Sequence, residues 1–89
     1  MFEITYHKKV AGDISTISFT QKNYIKKAIE EKLTINPSFF GKPLQFSLFG
    51  LRSLRVGDYR IIFQLKKKEV LVILIAHRSI VYKIINNRF

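Results

Sequence analysis

Hydrophobic and polar positions alternate at the start of the chain, where Phe2, Ile4 and Tyr6 stand between polar neighbours. A period of two belongs to a half-buried strand, so the chain is expected to open with a short β-strand. The period then lengthens. Val10, Ala11, Ile14 and Ile17 recur at helical spacing, in a segment weakened by Gly12, Ser15 and Thr16. Ser18 followed by Gln21 reads as a capping box, and beyond it Tyr24, Ile25, Ala28, Ile29 and Leu33 form one apolar stripe. Lys26, Lys27, Glu30 and Glu31 fall largely outside the stripe, and Asn36-Pro37 ends it. The expectation is a helical hairpin.

From Gly41 onward the period returns to two. Leu44, Phe46 and Leu48 alternate, and Gly50 marks a turn or bulge. Residues 51–56 and 59–65 read as strands joined by Gly57-Asp58, a hairpin signal with glycine at the first turn position. Residues 66–69 make a second turn. Residues 70–76 are apolar at every position, the pattern of an interior strand covered on both faces. The tail, 79–89, fits a short strand or a helix, and periodicity does not decide between them. The fold class is α+β: an N-terminal strand, a helical hairpin packed on one sheet face, then an antiparallel sheet of three or more strands. The 89 residues show no repeat or linker and read as a single domain, 1–89.

Hairpin geometry assigns neighbours. A two-residue loop at Gly57-Asp58 pairs Val56 with Tyr59, Arg55 with Arg60 and Leu54 with Ile61. Leu54, Val56, Ile61 and Phe63 then point to the core, leaving Arg55 and Arg60 side by side on the opposite face. Like charges opposed across a sheet, with Cβ atoms ~5 Å apart, are destabilising, and a fold with no use for such a pair would seldom keep it. The plainer reading is that both splay into solvent, where screening makes the penalty small. With Lys67-Lys68 as the next turn, Leu65 pairs with Val70 and Arg60 with Ile75. His77 has the parity of Ile75, so it is expected on the face of the two arginines, with Arg78 and Tyr82 close behind.

Charge narrows the partners. Sixteen Lys and Arg against six Asp and Glu give a formal +10. Such a surplus favours polyanions (nucleic acid, an acidic membrane or an acidic protein), although a solvated lysine face is the bland alternative. The chain has no cysteine, which removes disulfides, zinc fingers and thiol nucleophiles together. No signal peptide is evident, and the longest apolar run falls far short of the ~20 residues a membrane span needs, so a soluble, cytoplasmic protein is expected. The acidic residues, Glu3, Asp13, Glu30, Glu31, Asp58 and Glu69, are scattered, with no pairing for metal or glycosidase chemistry.

What remains suits an RNA phosphodiester. Cleavage needs a proton accepted from the 2′-OH, charge stabilised on the phosphoryl oxygens and a proton given to the departing 5′ oxygen. Arginine forks match phosphate oxygens and stay charged. Histidine serves as acid or base near neutral pH, and tyrosine stacks on an unpaired base or donates a proton. Nothing in this scheme requires a metal or cofactor. His7, beside Lys8 and Lys9, reads as a surface residue.

Gly41-Lys42-Pro43-Leu44, the run Gly50-Leu51-Arg52-Ser53-Leu54-Arg55-Val56-Gly57-Asp58-Tyr59-Arg60-Ile61-Ile62-Phe63, and Ala76-His77-Arg78-Ser79-Ile80-Val81-Tyr82 together resemble the signature of the RelE/ParE superfamily of small basic toxins. Each piece alone is weak, but the combination is specific and covers nearly the whole chain. The resemblance implies a microbial-ribonuclease-like fold and a type II toxin–antitoxin system, in which an acidic antitoxin holds the toxin in a hetero-oligomer. RelE-like members cut mRNA on the ribosome and block translation; ParE-like members poison DNA gyrase without nuclease residues. A third possibility is a non-lethal, antitoxin-bound co-regulator. For the RelE-like activity, the resemblance assigns catalysis to Arg55, Arg60, His77, Arg78 and Tyr82. Arg55 and Arg60 would stabilise the scissile phosphate with Arg78 as a further ligand, His77 would be the acid/base, and Tyr82 would stack on the cleaved nucleotide. RNA contacts would come from Arg52, Ser53, Arg55, Arg60, Arg78 and Lys83. Ser53 stands where some ribonucleolytic members carry lysine, Ala76 replaces a common glycine, and no glutamate is placed to act as base.

Overall fold

The computed structural model describes residues 1–44 and 50–88. Phe46, Leu48 and Phe89, which belong to the expected strand after Gly41 and to the tail, lie outside the described residues. Strand β1 (Glu3–Tyr6) is followed by α1 (Val10–Ile14) and α2 (Phe19–Ala28), the latter prolonged by a π-helical turn, Ile29–Leu33. A short α3 (Pro37–Phe40) leads to β2 (Lys42–Pro43), β3 (Leu51–Val56), β4 (Tyr59–Lys66) and β5 (Glu69–His77). The tail forms α4 (Val81–Ile84) and a 3₁₀ turn, Ile85–Asn87.

Helix α2 starts where the sequence placed its cap: the Ser18 hydroxyl accepts the Gln21 N–H at 3.3 Å. Ile25, Ala28, Ile29 and Leu33 are buried as the stripe requires, but Tyr24 is 61% exposed and leaves it. Tyr24 sits at the flank of the stripe, where an amphipathic ring keeps its hydroxyl in water. Pro37 occupies the first turn of α3, a position that needs no N–H, so it both ends the preceding helix and begins the next.

The five strands lie in the order β1-β5-β4-β3-β2, with β1 parallel to β5 and the other neighbours antiparallel. Strand β5, interior to this order, carries the uninterrupted apolar run, and both of its faces are covered. On one face Leu54, Ile61, Phe63, Val70, Val72 and Ile75 pack under Val10, Ile17, Ile25, Ile29 and Leu33 of the helical hairpin. On the other, Leu51, Ile62, Ile73, Leu74 and Ala76 pack with Val81 of α4. The tail left open by periodicity is therefore helical and covers the second face.

Both turns have the expected length. Gly57 has φ +60° and Lys67 φ +50°, the left-handed backbone at the first position of each loop. At Gly41 close packing is decisive, because a Cβ there would overlap the Phe63 ring, which is fully buried.

The register between β3 and β4 is the one expected, with Val56 opposite Tyr59, Arg55 opposite Arg60 and Leu54 opposite Ile61. Between β4 and β5 the expectation holds only at the start, where Leu65 pairs with Val70. A bulge follows: Phe63 faces Val72 but Ile62 faces Leu74, so Ile73 is an extra residue. Arg60 consequently pairs with Ala76 rather than Ile75, and His77 pairs with Tyr59. One extra residue moves every later side chain to the other face. His77 is thus on the face of the helical hairpin, opposite to Arg55 and Arg60.

Candidate functional site

The β3–β4 hairpin brings Ser53, Arg55 and Arg60 onto one sheet face, because Arg60 lies opposite Arg55 and Ser53 is two residues from Arg55 along the strand. Ser53 is 5% exposed and its hydroxyl meets Arg60 Nη1 at 3.4 Å. It supports Arg60 from below instead of facing solvent. Arg55 is exposed and donates from Nε to the Gly57 carbonyl at 3.0 Å, which folds the side chain back along the turn. Among the described residues no carboxylate lies within ion-pair distance of Arg55 or Arg60. Two arginines at opposed strand positions on one face, with no carboxylate partner among the described residues, present a local positive field that an anion such as a phosphate would relieve.

Helix α4 rests on the same face. Val81 is fully buried in one apolar cluster with Ala76, the cross-strand partner of Arg60. This anchor places exposed Tyr82 and Lys83 in the segment that covers the arginine-bearing face.

The remaining expected residues stand apart from that face. His77, at the end of β5, makes a T-shaped contact with the Tyr59 ring at a centroid distance of 5.6 Å. Its Nδ1 accepts the Ser79 N–H at 3.1 Å and lies 2.8 Å from the Ser79 hydroxyl. In the neutral ring this leaves the proton on Nε2, so His77 presents a donor at its outer nitrogen. Arg78 extends the strand ladder by donating its backbone N–H to the Asp58 carbonyl at 2.8 Å, and its Nε lies 3.8 Å from the Asp58 carboxylate. Both of those side chains are well exposed, so water screens the pair. Arg52 has the opposite parity to Arg55 and turns to α3, donating to the carbonyls of Gly41 at 3.0 Å and Ser38 at 3.4 Å. Its guanidinium is engaged in closing the end of that helix.

Arg55, Arg60, His77 and Arg78 nevertheless share one end of the sheet, the end at the Gly57-Asp58 turn, with His77 reaching it from the far face. Sequence reasoning missed Tyr59 and Asp58 as companions of His77 and Arg78. The hairpin register would have found Tyr59 had the bulge been known. It also missed an ion pair between Asp13 and Arg88, whose members are 75 residues apart.

A groove of about 500 Å³ opens between α1 and α2. Its floor is apolar, with Val10, Ile14, Ile25 and Ile75, and its rim carries Lys8, Lys22 and Lys26. Tyr6 also lines it, and burial, with Glu30 nearby, raises the Tyr6 hydroxyl above the usual tyrosine value.

Residues 4–82 match the family described as the ParE toxin of type II toxin–antitoxin systems. A curated relative, Toxin RelE of Mycobacterium tuberculosis, is 44% identical over 50 residues, which make up 54% of this chain and 52% of that protein. The chain thus matches about half the length of this relative. The RelBE2 toxin–antitoxin complex of M. tuberculosis contains a chain of similar fold, with TM-score 0.79 and 22% identity, covering 86% of this chain and 98% of that one. The RelB–RelE complex of Methanococcus jannaschii gives TM-score 0.70 at 20% identity, over 89% and 95% of the two chains. YafQ from E. coli gives 0.63 at 19% identity, over 92% and 99%. At such identities the solved structures establish the shared fold, while the family match extends over most of the sequence. The chain belongs to the ParE toxin family of type II toxin–antitoxin systems.

Proposed function

We propose that this chain is an endoribonuclease that cleaves mRNA on the ribosome and is restrained by an acidic antitoxin. The observation that carries the reading is the Arg55–Arg60 pair, opposed across two strands with no carboxylate partner among the described residues. In this scheme Arg60, steadied by Ser53, and Arg55 bind the scissile phosphate and stabilise the charge that develops on it. Tyr82 stacks on the nucleotide beside the cut, and Lys83 holds a neighbouring phosphate. His77 and Arg78 act from the sheet end: His77 donates a hydrogen bond from Nε2, and Arg78 can exchange its exposed Asp58 partner for a phosphate. Programmed ribosomes carrying a defined mRNA test this. Cleavage by the wild-type chain and its loss in Arg60→Ala are the expected results, and intact mRNA in both would refute the reading.

The family match favours a second reading, a protein that inhibits DNA gyrase without cutting RNA, because the matched family is described by its ParE toxin. Induction in cells separates the two. Translation stops first for the ribonuclease, and DNA synthesis stops first for the gyrase inhibitor.

The groove between α1 and α2 supports the partner assignment. Its apolar floor and lysine rim complement an acidic amphipathic helix that folds as it binds. The structural relatives from M. tuberculosis and M. jannaschii are toxin–antitoxin complexes, in line with this reading. Long-range attraction makes association fast and salt-sensitive, so association rates measured from low to high salt test it.

A further inference from the structure

Strand β1 ends opposite Val72, with a last bond from the His7 N–H to the Val72 carbonyl at 2.8 Å. Beyond that point β5 continues to His77 without β1 beside it. The bulge at Ile73 falls in this stretch and turns backbone groups of β5 away from β4. Two side chains take the place of the missing strand. The Asp13 carboxylate accepts the Ile75 N–H at 3.2 Å, and the Arg88 guanidinium donates to the Ile73 carbonyl at 3.2 Å.

The two side chains also bind each other in a fork. Arg88 Nη2 lies 2.7 Å from one Asp13 oxygen, and Arg88 Nη1 lies 2.9 Å from the other. Their side chains are only 6% and 11% exposed, in contrast to the open Arg78–Asp58 contact. Asp13 belongs to α1, on one face of the sheet. Arg88 follows the 3₁₀ turn that continues α4, on the other. The pair is a strap around the sheet edge.

Withdrawing two charges from water is expensive, so an apolar pair would serve stability as well or better; what a forked ion pair adds is a single geometry. That geometry belongs to the tail. Val81 anchors the start of α4 in the apolar cluster, and Arg88 anchors the end. Tyr82 and Lys83 lie between the two anchors, exposed.

Resting on the ribonuclease reading above, we infer that Asp13 and Arg88 are positioning residues, holding the segment that bears Tyr82 and Lys83 in register with the Arg55–Arg60 face. They touch no substrate. They act through Tyr82 and Lys83, whose place on the face depends on both ends of the segment being tied down.

Two measurements on the full chain test this. The first needs no activity: amide hydrogen exchange in the wild type, Asp13→Asn and Arg88→Ala. Asp13→Asn keeps an acceptor for the Ile75 N–H while losing the charge, so it stays informative if Arg88→Ala unfolds. In Asp13→Asn, tail amides in 80–88 should exchange ~10-fold faster with β3 and β4 unchanged; in Arg88→Ala they should exchange ~10²-fold faster or more, with the loss of global stability reaching the sheet as well. In Asp13→Asn, unchanged tail protection, or equal loss throughout the sheet, would overturn the inference.

The second is a cleavage cycle with Tyr82→Ala. Each strap variant should lower kcat by up to ~10²-fold with little change in KM, the scale of a misplaced positioning group. In the Tyr82→Ala background the same changes should add little, because the group they position is gone. Fully multiplicative losses would overturn the inference. A wild type that cuts no RNA, beside strap variants whose tails loosen in the exchange experiment, would remove the ribonuclease reading and leave the strap standing.

Discussion

Arg88 and Arg60 are both drawn in from solvent, yet one grips a carboxylate and the other faces a second arginine. Arg88 meets Asp13 through two nitrogens at 2.7 and 2.9 Å and fills its remaining reach with the Ile73 carbonyl at 3.2 Å. Among the described residues Arg60 has a single weak side-chain hydrogen bond, 3.4 Å to the Ser53 hydroxyl, and stands opposite Arg55. The same side chain is saturated at the sheet edge and unsatisfied at the hairpin end. A saturated guanidinium stabilises one arrangement of the chain; an unsatisfied one keeps its affinity for an incoming anion. On the proposed ribonuclease reading, structure and function are divided between the two sites accordingly.

Substitution at each site should expose that division. The largest effect on stability is expected at the edge. Arg88→Ala leaves the Asp13 carboxylate buried and unpaired, and should lower unfolding free energy by about 3–5 kcal/mol. Urea unfolding measures it, and a loss under about 1 kcal/mol would put the edge on a level with a surface pair. At the hairpin end the effect should move from stability to rate. Arg60→Ala should lower mRNA cleavage by ~10²–10³-fold while shifting stability by less than about 0.5 kcal/mol, readable by single-turnover cleavage beside thermal melting. A matching loss of stability would make Arg60 structural and erase the contrast.

Smaller effects sharpen the same distinction. Arg55→Glu replaces repulsion across the strands with attraction and should stabilise the fold by about 0.2–1 kcal/mol while abolishing cleavage. Stability and activity then move in opposite directions, as expected where a local rule is broken for function. Destabilisation by this change would show that the arginines are not in repulsion. Tyr82→Phe should be the mildest, reducing cleavage by less than about threefold, because stacking on a base needs the ring and not the hydroxyl. A large loss would reassign the phenol to proton transfer.

How much of this was readable before folding follows from local chemistry. The Arg55–Arg60 opposition was legible because a two-residue turn with glycine at its first position leaves one way to pair the strands. The Ser18 cap and the buried set Ile25, Ala28, Ile29 and Leu33 were legible for the same kind of reason, since cap chemistry and helical period are local. The face of His77 was not legible. Residues 70–76 are apolar at every position, so a slip of one residue at Ile73 leaves no polar residue exposed to the wrong side and no trace in the pattern. The grouping of His77 with the arginines failed there, and Tyr59 became its neighbour instead.

The tail shows the same limit from another direction. Its apolar residues Val81, Ile84 and Ile85 suit a strand or a helix, and the uncovered face of β4 and β5 decided for a helix by offering a surface to bury them.

By itself, then, the sequence determined the α+β class, the two hairpins, the basic character and the arginine pair. Each depends on composition or on residues within a turn or two of one another. Tertiary structure alone decided the bulge, the face on which His77 lies and the Asp13–Arg88 strap. Those depend on which backbone groups remain unpaired once the strands are laid side by side, and a carboxylate can meet a guanidinium 75 residues away only after that edge exists.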